Sequence, residues 1–281
     1  MSGRATLVIG GATHVGRVRA ENQDTFLAAV VPAPSEGADT PGSPRELAGD
    51  ESVSATVELT DWGVLLIVAD GMGGPAGGGV ASRLAVASIV AEVMSRSRSL
   101  DPSDDRAVER VLTEAVGVAH AVIGQRAGTA SSLAAMGTTA TVAWVLPGRV
   151  RIAQVGDSRA YLVRGGRSEQ LTRDQTLVQQ WVDEGRMTPA EAEVSPQRNV
   201  LVGALAPGPM PEVEIVRRSL QVGDALVLCS DGLTEVVKGP ELPSQLEAAA
   251  SPIEAAQVLV ELANERGGPD NVTVLVGRVG G

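Results

Sequence analysis

The chain has 281 residues, enough to bury a large core, and 43% are apolar but only 2% aromatic, so Val, Leu, Ile and Ala must build its interior. Against 34 acidic residues stand 23 basic ones, a formal charge of −11, which argues against nucleic acid or an anionic membrane as the main partner because both need a basic face. A single cysteine, Cys229, excludes an intramolecular disulfide and a zinc–thiolate cluster; set in ALVLCSDG, it reads as a small buried hydrophobe.

The opening MSGRATLVIGG lacks the apolar core and cleavage signature of a leader, and no stretch approaches 18 apolar residues, so a cytoplasmic protein with no membrane partner is expected. Strands are expected at 6–10 and 26–31, with Gly10-Gly11 as a break. Residues 32–61 carry four prolines and seven acids against one base, Arg45, and read as a mobile, solvated insertion. A strand follows at 64–69. Apolar residues at spacings of three and four then predict long amphipathic helices over 79–95 and 104–126. Strands at 138–145, 150–155 and 160–163 are separated by Pro147-Gly148 and Gly165-Gly166. A helix over 174–184, with Leu177, Val178, Trp181 and Val182 inward, ends at Gly185. Thr188-Pro-Ala-Glu191 and Ser251-Pro-Ile-Glu254 are capping boxes with proline at the first helical position; the second opens a helix to about residue 265. Strands at 213–218, 225–229 and 272–279 complete the chain. Strands in runs and helices in pairs indicate one α+β domain over 1–281 with antiparallel sheet.

Four acids stand at the boundaries of apolar strands. Asp70 ends LLIVAD, Asp157 follows VRIAQVG, Asp231 follows ALVLCS, and Asp270 precedes NVTVLV. Any one could be a strand-end cap or Asx-turn. Three have glycine alongside (Gly71, Gly156, Gly232), which lets backbone approach closely. With only two histidines in the chain, the four form a hard-oxygen set suited to Mg²⁺ or Mn²⁺ and not to Zn²⁺ or Cu²⁺. Two such ions can share and acidify a water and aim it at phosphorus. A Ser-His-Asp triad could draw only on His14 and His120, the latter on an amphipathic helix. Gly71–Gly79 lacks the Gly-Lys-Ser/Thr ending of a nucleotide loop. A forked cation for phosphate is available in GRVRAENQD, at Arg17 or Arg19.

The order GRVRAENQD, LIVADGMGG, MGTTATV, VGDSRAYLV, LTRDQTLVQQWVDEGRMT, SPQRNVL, LCSDGLTEVV and GGPDNVTVLV resembles bacterial type 2C (PPM family) Ser/Thr protein phosphatases over residues 5–279, apart from 32–61. That resemblance implies a four-layer αββα sandwich, two antiparallel sheets flanked by helix pairs. It implies hydrolysis of phosphoserine and phosphothreonine in proteins by direct attack of a metal-bridging water, with Mn²⁺ or Mg²⁺ as cofactor, two per active site. Asp70 matches the carboxylate bridging both metals; Asp231 and Asp270 complete the first metal's protein ligands; the Gly71 carbonyl serves the second. Asp157 with Asp231 matches a third, weaker site. Arg19, which has the R-x-x-N-x-D spacing, matches the phosphate-binding arginine, while Asp24 and Asn271 match residues that orient metal waters and the Asp270 carboxylate. Residues 172–203 correspond to a flap beside the site, with Thr172 and Asp174 in its entry motif; Asp174 also reads as a helix N-cap. The resemblance further implies phosphorylated protein substrates, a cognate Ser/Thr kinase, a role in signal transduction and a monomer.

This chain departs from the family pattern in the 32–61 insertion, longer than the tight hairpin usual there, and at three single residues. Gln23 stands where some members have an acid. Met72 replaces a histidine proposed as general acid in animal enzymes, so the leaving alkoxide needs another proton source. Ser195 replaces a histidine frequent in bacterial flaps. No expected metal-ligating carboxylate is lost, so an active enzyme is expected.

Overall fold

Strands that are apolar at every position must be buried on both faces, and the architecture supplies this. The computed structural model describes residues 5–33, 45–46, 51–74 and 77–281. In chain order its strands are β1 Thr6–His14, β2 Thr25–Val30, β3 Arg45–Glu46, β4 Ser52–Glu58, β5 Val64–Ala69, β6 Gly71–Met72, β7 Gly137–Thr138, β8 Ala140–Leu146, β9 Arg149–Val155, β10 Arg159–Arg164, β11 Arg167–Gln170, β12 Glu214–Ser219, β13 Ala225–Cys229 and β14 Val272–Gly280. Its helices are α1 Gly78–Ser97, α2 Asp105–Ala127, α3 Leu177–Asp183, α4 Pro189–Glu193, α5 Asp231–Thr234, α6 Leu242–Ala248 and α7 Pro252–Glu265.

Two antiparallel six-stranded sheets result, ordered β11-β10-β13-β14-β1-β4 and β12-β9-β8-β5-β2-β3. Strand β5 shows how the layers arise. Leu65, Ile67 and Ala69 pack outward with α1 and α2, while Val64, Leu66 and Val68 pack between the sheets with Leu7, Ile9, Leu226 and Leu275. The outer face of the other sheet (Val227, Cys229, Val274, Val276) is covered by Leu246 of α6 and Leu259 of α7. The expected four-layer αββα sandwich is therefore present.

Several expectations are corrected. Gly10-Gly11 does not break β1. A Cβ at Gly10 would lie 2.0 Å from the Ile253 nitrogen, so this glycine admits the start of α7 against the strand. Residues 52–58, assigned above to a mobile insertion, form β4, which pairs along β1 from Thr6↔Glu58 to Ala12↔Ser52. The alternation of SVSATVE explains it: Val53 turns inward on a half-exposed edge strand. Residues 45–46 pair with β2; the rest of that segment, 34–44 and 47–50, lies outside the described residues. The helix expected over 174–184 begins only at Leu177, because Thr176 is its N-cap and accepts the Gln179 N–H. Asp174 is therefore no cap, and of the four residues expected inward only Val178 is buried. The strand expected over 138–145 is split at Thr139. Finally, α1 is by length and composition apolar enough to cross a membrane, with a mean hydropathy of 1.3. Its apolarity is spent instead on α2 and the sheet.

Candidate active site

The strand ends deliver the acids to one place. β5 and β9 end at Asp70 and Gly156-Asp157, and in the facing sheet β13 leads to Asp231 while Asp270 precedes β14. All four, with Arg19, Gln23, Gly71, Met72 and Asn271, line a single cleft of about 460 Å³ at that edge of the sandwich. The flap stands beside it, contributing Asn199 and Leu201; Asn199 Nδ2 donates to Glu235 Oε1 at 2.7 Å, one turn beyond Asp231.

Backbone contacts keep the acids there. The Asp70 N–H donates to Thr139 Oγ1 at 2.9 Å, and its carbonyl accepts from the Thr139 N–H at 2.9 Å and from Thr138 Oγ1 at 2.7 Å. Thr138 at the end of β7 and Thr139 in the break before β8 thus grip the backbone of Asp70. Reading the sequence assigned them no role, although their place in MGTTATV between two acid-bearing strands was the available signal. The glycines beside the acids serve close approach, as expected. A Cβ at Gly71 would meet the Gly78 carbonyl at 2.3 Å, and one at Gly232 the Asn271 carbonyl at 1.9 Å.

Gathering these carboxyls is electrostatically unfavourable. Asp70 and Asp231 are both pushed well above the usual carboxylate range, first by lost hydration and then by neighbouring acids, Asp24 and Asp231 for the one, Asp157 and Asp270 for the other. Asp157 is raised to about 7 by burial and by Asp174, with the Arg159 guanidinium opposing. Asp24 rises to about 6 by burial, although Ser230 and Thr273 hydroxyls donate to its Oδ2 at 2.7 Å each. Asp24 Oδ1 and Asp231 Oδ1 are occluded, and no N–H or hydroxyl donor among the described residues reaches either.

Arg19 forks onto Asp270: Nε to Oδ1 at 2.8 Å, Nη2 to Oδ2 at 2.6 Å. Asn271 behaves differently from expectation. Its side chain does not touch Asp270; it accepts the Gln23 N–H at 2.8 Å and donates to the Val15 and Glu21 carbonyls at 2.9 Å each, clamping the loop that carries Arg19. Its backbone N–H donates to Asp270 Oδ1. Of the flap entry residues, Thr172 accepts the Ala160 N–H, and Asp174 is forked by Arg159. His120 bonds the Gly208 carbonyl, and Cys229 is buried with its thiol pushed up to about 12, so neither serves the cleft.

Divalent hard cations fit this cleft. Its candidate metal donors are carboxylates and carbonyls, two buried carboxylate oxygens lack a donor among the described residues, and the clustered acids need positive charge to ionise together. As the side chains stand, no three His, Cys, Asp or Glu among the described residues converge on one ion position; Asp270 gives both oxygens to Arg19.

Two stacked antiparallel sheets between helix pairs, with aspartates gathered at one edge, are the architecture of the type 2C phosphatase class. Residues 50–265 match the family profile described as Protein phosphatase 2C, and the chain belongs to that family. It is 41% identical over 217 residues to the serine/threonine protein phosphatase PstP of Mycobacterium tuberculosis, a match covering 76% of this chain and 40% of that protein. It is 35% identical over 227 residues to the serine/threonine phosphatase stp of Listeria welshimeri, covering 81% of this chain and 89% of that one. The match thus spans well under half of the mycobacterial relative's length. In structure, the chain superimposes on the catalytic domain of PstP in complex with two manganese ions with a TM-score of 0.74 and 32% identity, covering 99% of this chain and all of that one.

Proposed function

We propose that this chain is a metal-dependent protein Ser/Thr phosphatase, releasing phosphate from phosphoserine and phosphothreonine. The observation that carries this reading is the convergence of Asp70, Asp157, Asp231 and Asp270 from both sheets on one cleft with Arg19. Asp70, Asp231, Asp270 and the Gly71 carbonyl would hold two divalent cations, Mn²⁺ or Mg²⁺, which when bound acidify water at neutral pH and offset negative charge developing on the phosphoryl group. Asp157 with Asp231 would hold a third, weaker ion.

The chain's own groups do the remainder. Arg19 offers a planar pair of N–H donors that match two phosphate oxygens. Asn271 holds the Arg19 loop at the cleft wall, so the guanidinium is presented without a search through loop conformations. Asp24, held by the Ser230 and Thr273 hydroxyls, would orient metal-bound water once cations offset its repulsion of Asp70. Met72 has no proton to give, so the departing seryl or threonyl oxygen takes one from water or another acid in the open cleft. No cysteine is placed for a phospho-enzyme, which agrees with direct hydrolysis.

The same reading extends to phosphorylated protein substrates made by a cognate Ser/Thr kinase, and to a monomeric, cytoplasmic, single-domain enzyme in a signalling cycle, with the net acidity favouring proteins over nucleic acid as partners. Mn²⁺-dependent phosphate release from a phosphothreonine peptide tests it. Activity should vanish in EDTA and in Asp231→Ala; turnover that survives either treatment refutes the mechanism.

A further inference from the structure

Arg19 and Asp270 are assigned to different tasks, one to phosphate and the other to metal, yet in this structure they are bonded to each other. Both Asp270 oxygens accept from the guanidinium, and Asp270 keeps only a backbone N–H besides. The ion pair is not a distant surface contact: Arg19 also lies in the field of Asp231 and Asp70, and all three acids hold its proton more firmly. Its charge is paired with one of the carboxylates assigned to a cation. A forked guanidinium uses the same lone pairs that a metal ion would.

We propose that Arg19 is the resident counter-cation of this cleft, standing in for a divalent ion on Asp270, and that it changes partners, from Asp270 to phosphate, when Asp270 takes up a metal. This rests on the metal and phosphate assignments above and goes beyond them in linking the two. The exchange has a consequence for order. While Arg19 forks onto Asp270, neither group is available for its task, so the metal-free protein has neither a complete ligand set nor a free phosphate fork. Metal loading therefore arms the phosphate site. By linkage, an anion that draws Arg19 away raises metal affinity by the same factor.

The test is calorimetric titration of Mn²⁺ into EDTA-stripped, dialysed protein with no phosphate present. Arg19 is exposed, with 57% of its side chain open, so its truncation should spare the fold. Arg19→Ala should bind Mn²⁺ about fivefold more tightly than wild type, the upper end for a forked, solvent-exposed ion pair. Arg19→Lys keeps the charge but cannot fork both oxygens and should fall between the two. Arg17→Ala, two residues away, should match wild type. A second readout needs no variant: in nitrogen-resolved NMR the Arg19 Nε–H signal should shift on titration with diamagnetic Mg²⁺. Unchanged or weakened Mn²⁺ binding in Arg19→Ala overturns the proposal, as does an Arg19→Lys value equal to wild type or an unmoved Nε–H signal. Wild-type protein that binds no Mn²⁺ at all overturns the metal reading itself.

Discussion

Asp157 allows a quantitative test of whether cations are what permit these acids to be charged together. It is 9% exposed, and its carboxyl is raised to about 7 from an ordinary 3.8, by lost hydration first and Asp174 second. An acid with a raised folded-state pKa is favoured in its neutral form. Its contribution to stability is complete below about pH 4, declines as pH climbs, and is gone above about pH 7. Each tenfold change in proton activity across that window is worth about 1.4 kcal/mol, so the full span approaches ~4 kcal/mol. Relaxation and water entry reduce this to about 2–4 kcal/mol. Asp157→Asn, which removes the charge but keeps the shape, should therefore stabilise the metal-free protein at pH 8. For a domain of this size that corresponds to a Tm increase of roughly 3–7 °C by scanning calorimetry in EDTA. The advantage should shrink at pH 6 and vanish near pH 4. Saturating Mn²⁺ should shrink it at pH 8, because a neutral amide is the poorer ligand. Equal Tm values for the two proteins at pH 8 in EDTA would refute the reasoning.

Three further outcomes follow from the contacts around the cleft. Gly232→Ala places a methyl 1.9 Å from the Asn271 carbonyl, so urea unfolding should show a loss of about 1–3 kcal/mol, with Mn²⁺ affinity falling as Asp231 and Asn271 are forced apart. Thr139→Val removes the acceptor of the Asp70 N–H and should cost about 1–3 kcal/mol in the same assay, together with activity, whereas Thr139→Ser should retain most of both. Asn271→Ala releases three hydrogen bonds from the Arg19 loop, so steady-state kinetics on a phosphopeptide should show KM raised more than kcat is lowered; an unchanged KM would contradict the clamp.

How far the sequence could be read depended on whether the relevant signal was local. Strand β13 and the end of α7 fall where periodicity and capping put them, because Ala225–Cys229 is apolar throughout and Ser251 caps its own helix. Residues 52–61 were misjudged because proline and acid content describe the segment as a whole, whereas β4 forms by pairing with β1, a partner about 45 residues away. Gly10 misled for a similar reason. A glycine pair looks like a break in one dimension, and only the position of α7 shows that it is a recess. The flap helix was placed too early because Asp174, a good cap by type, is taken by Arg159, leaving Thr176 to cap.

The four acids at strand ends, the glycines beside them and the spacing of Arg19 are properties of the chain; they pointed to a hard-oxygen cluster, and the order of eight motifs pointed to the family. Runs of strands and pairs of helices indicated an α+β class with antiparallel sheet, and the layered sandwich was implied by the family resemblance. The sequence could not show that Thr138 and Thr139 hold Asp70 by its backbone, that the Asn271 side chain grips the Arg19 loop while only its backbone N–H reaches Asp270, or that Arg19 rests on Asp270. Those are contacts between residues up to 256 positions apart, made by hydrogen bonds that reach about 3 Å, and such distances exist only once both sheets are packed.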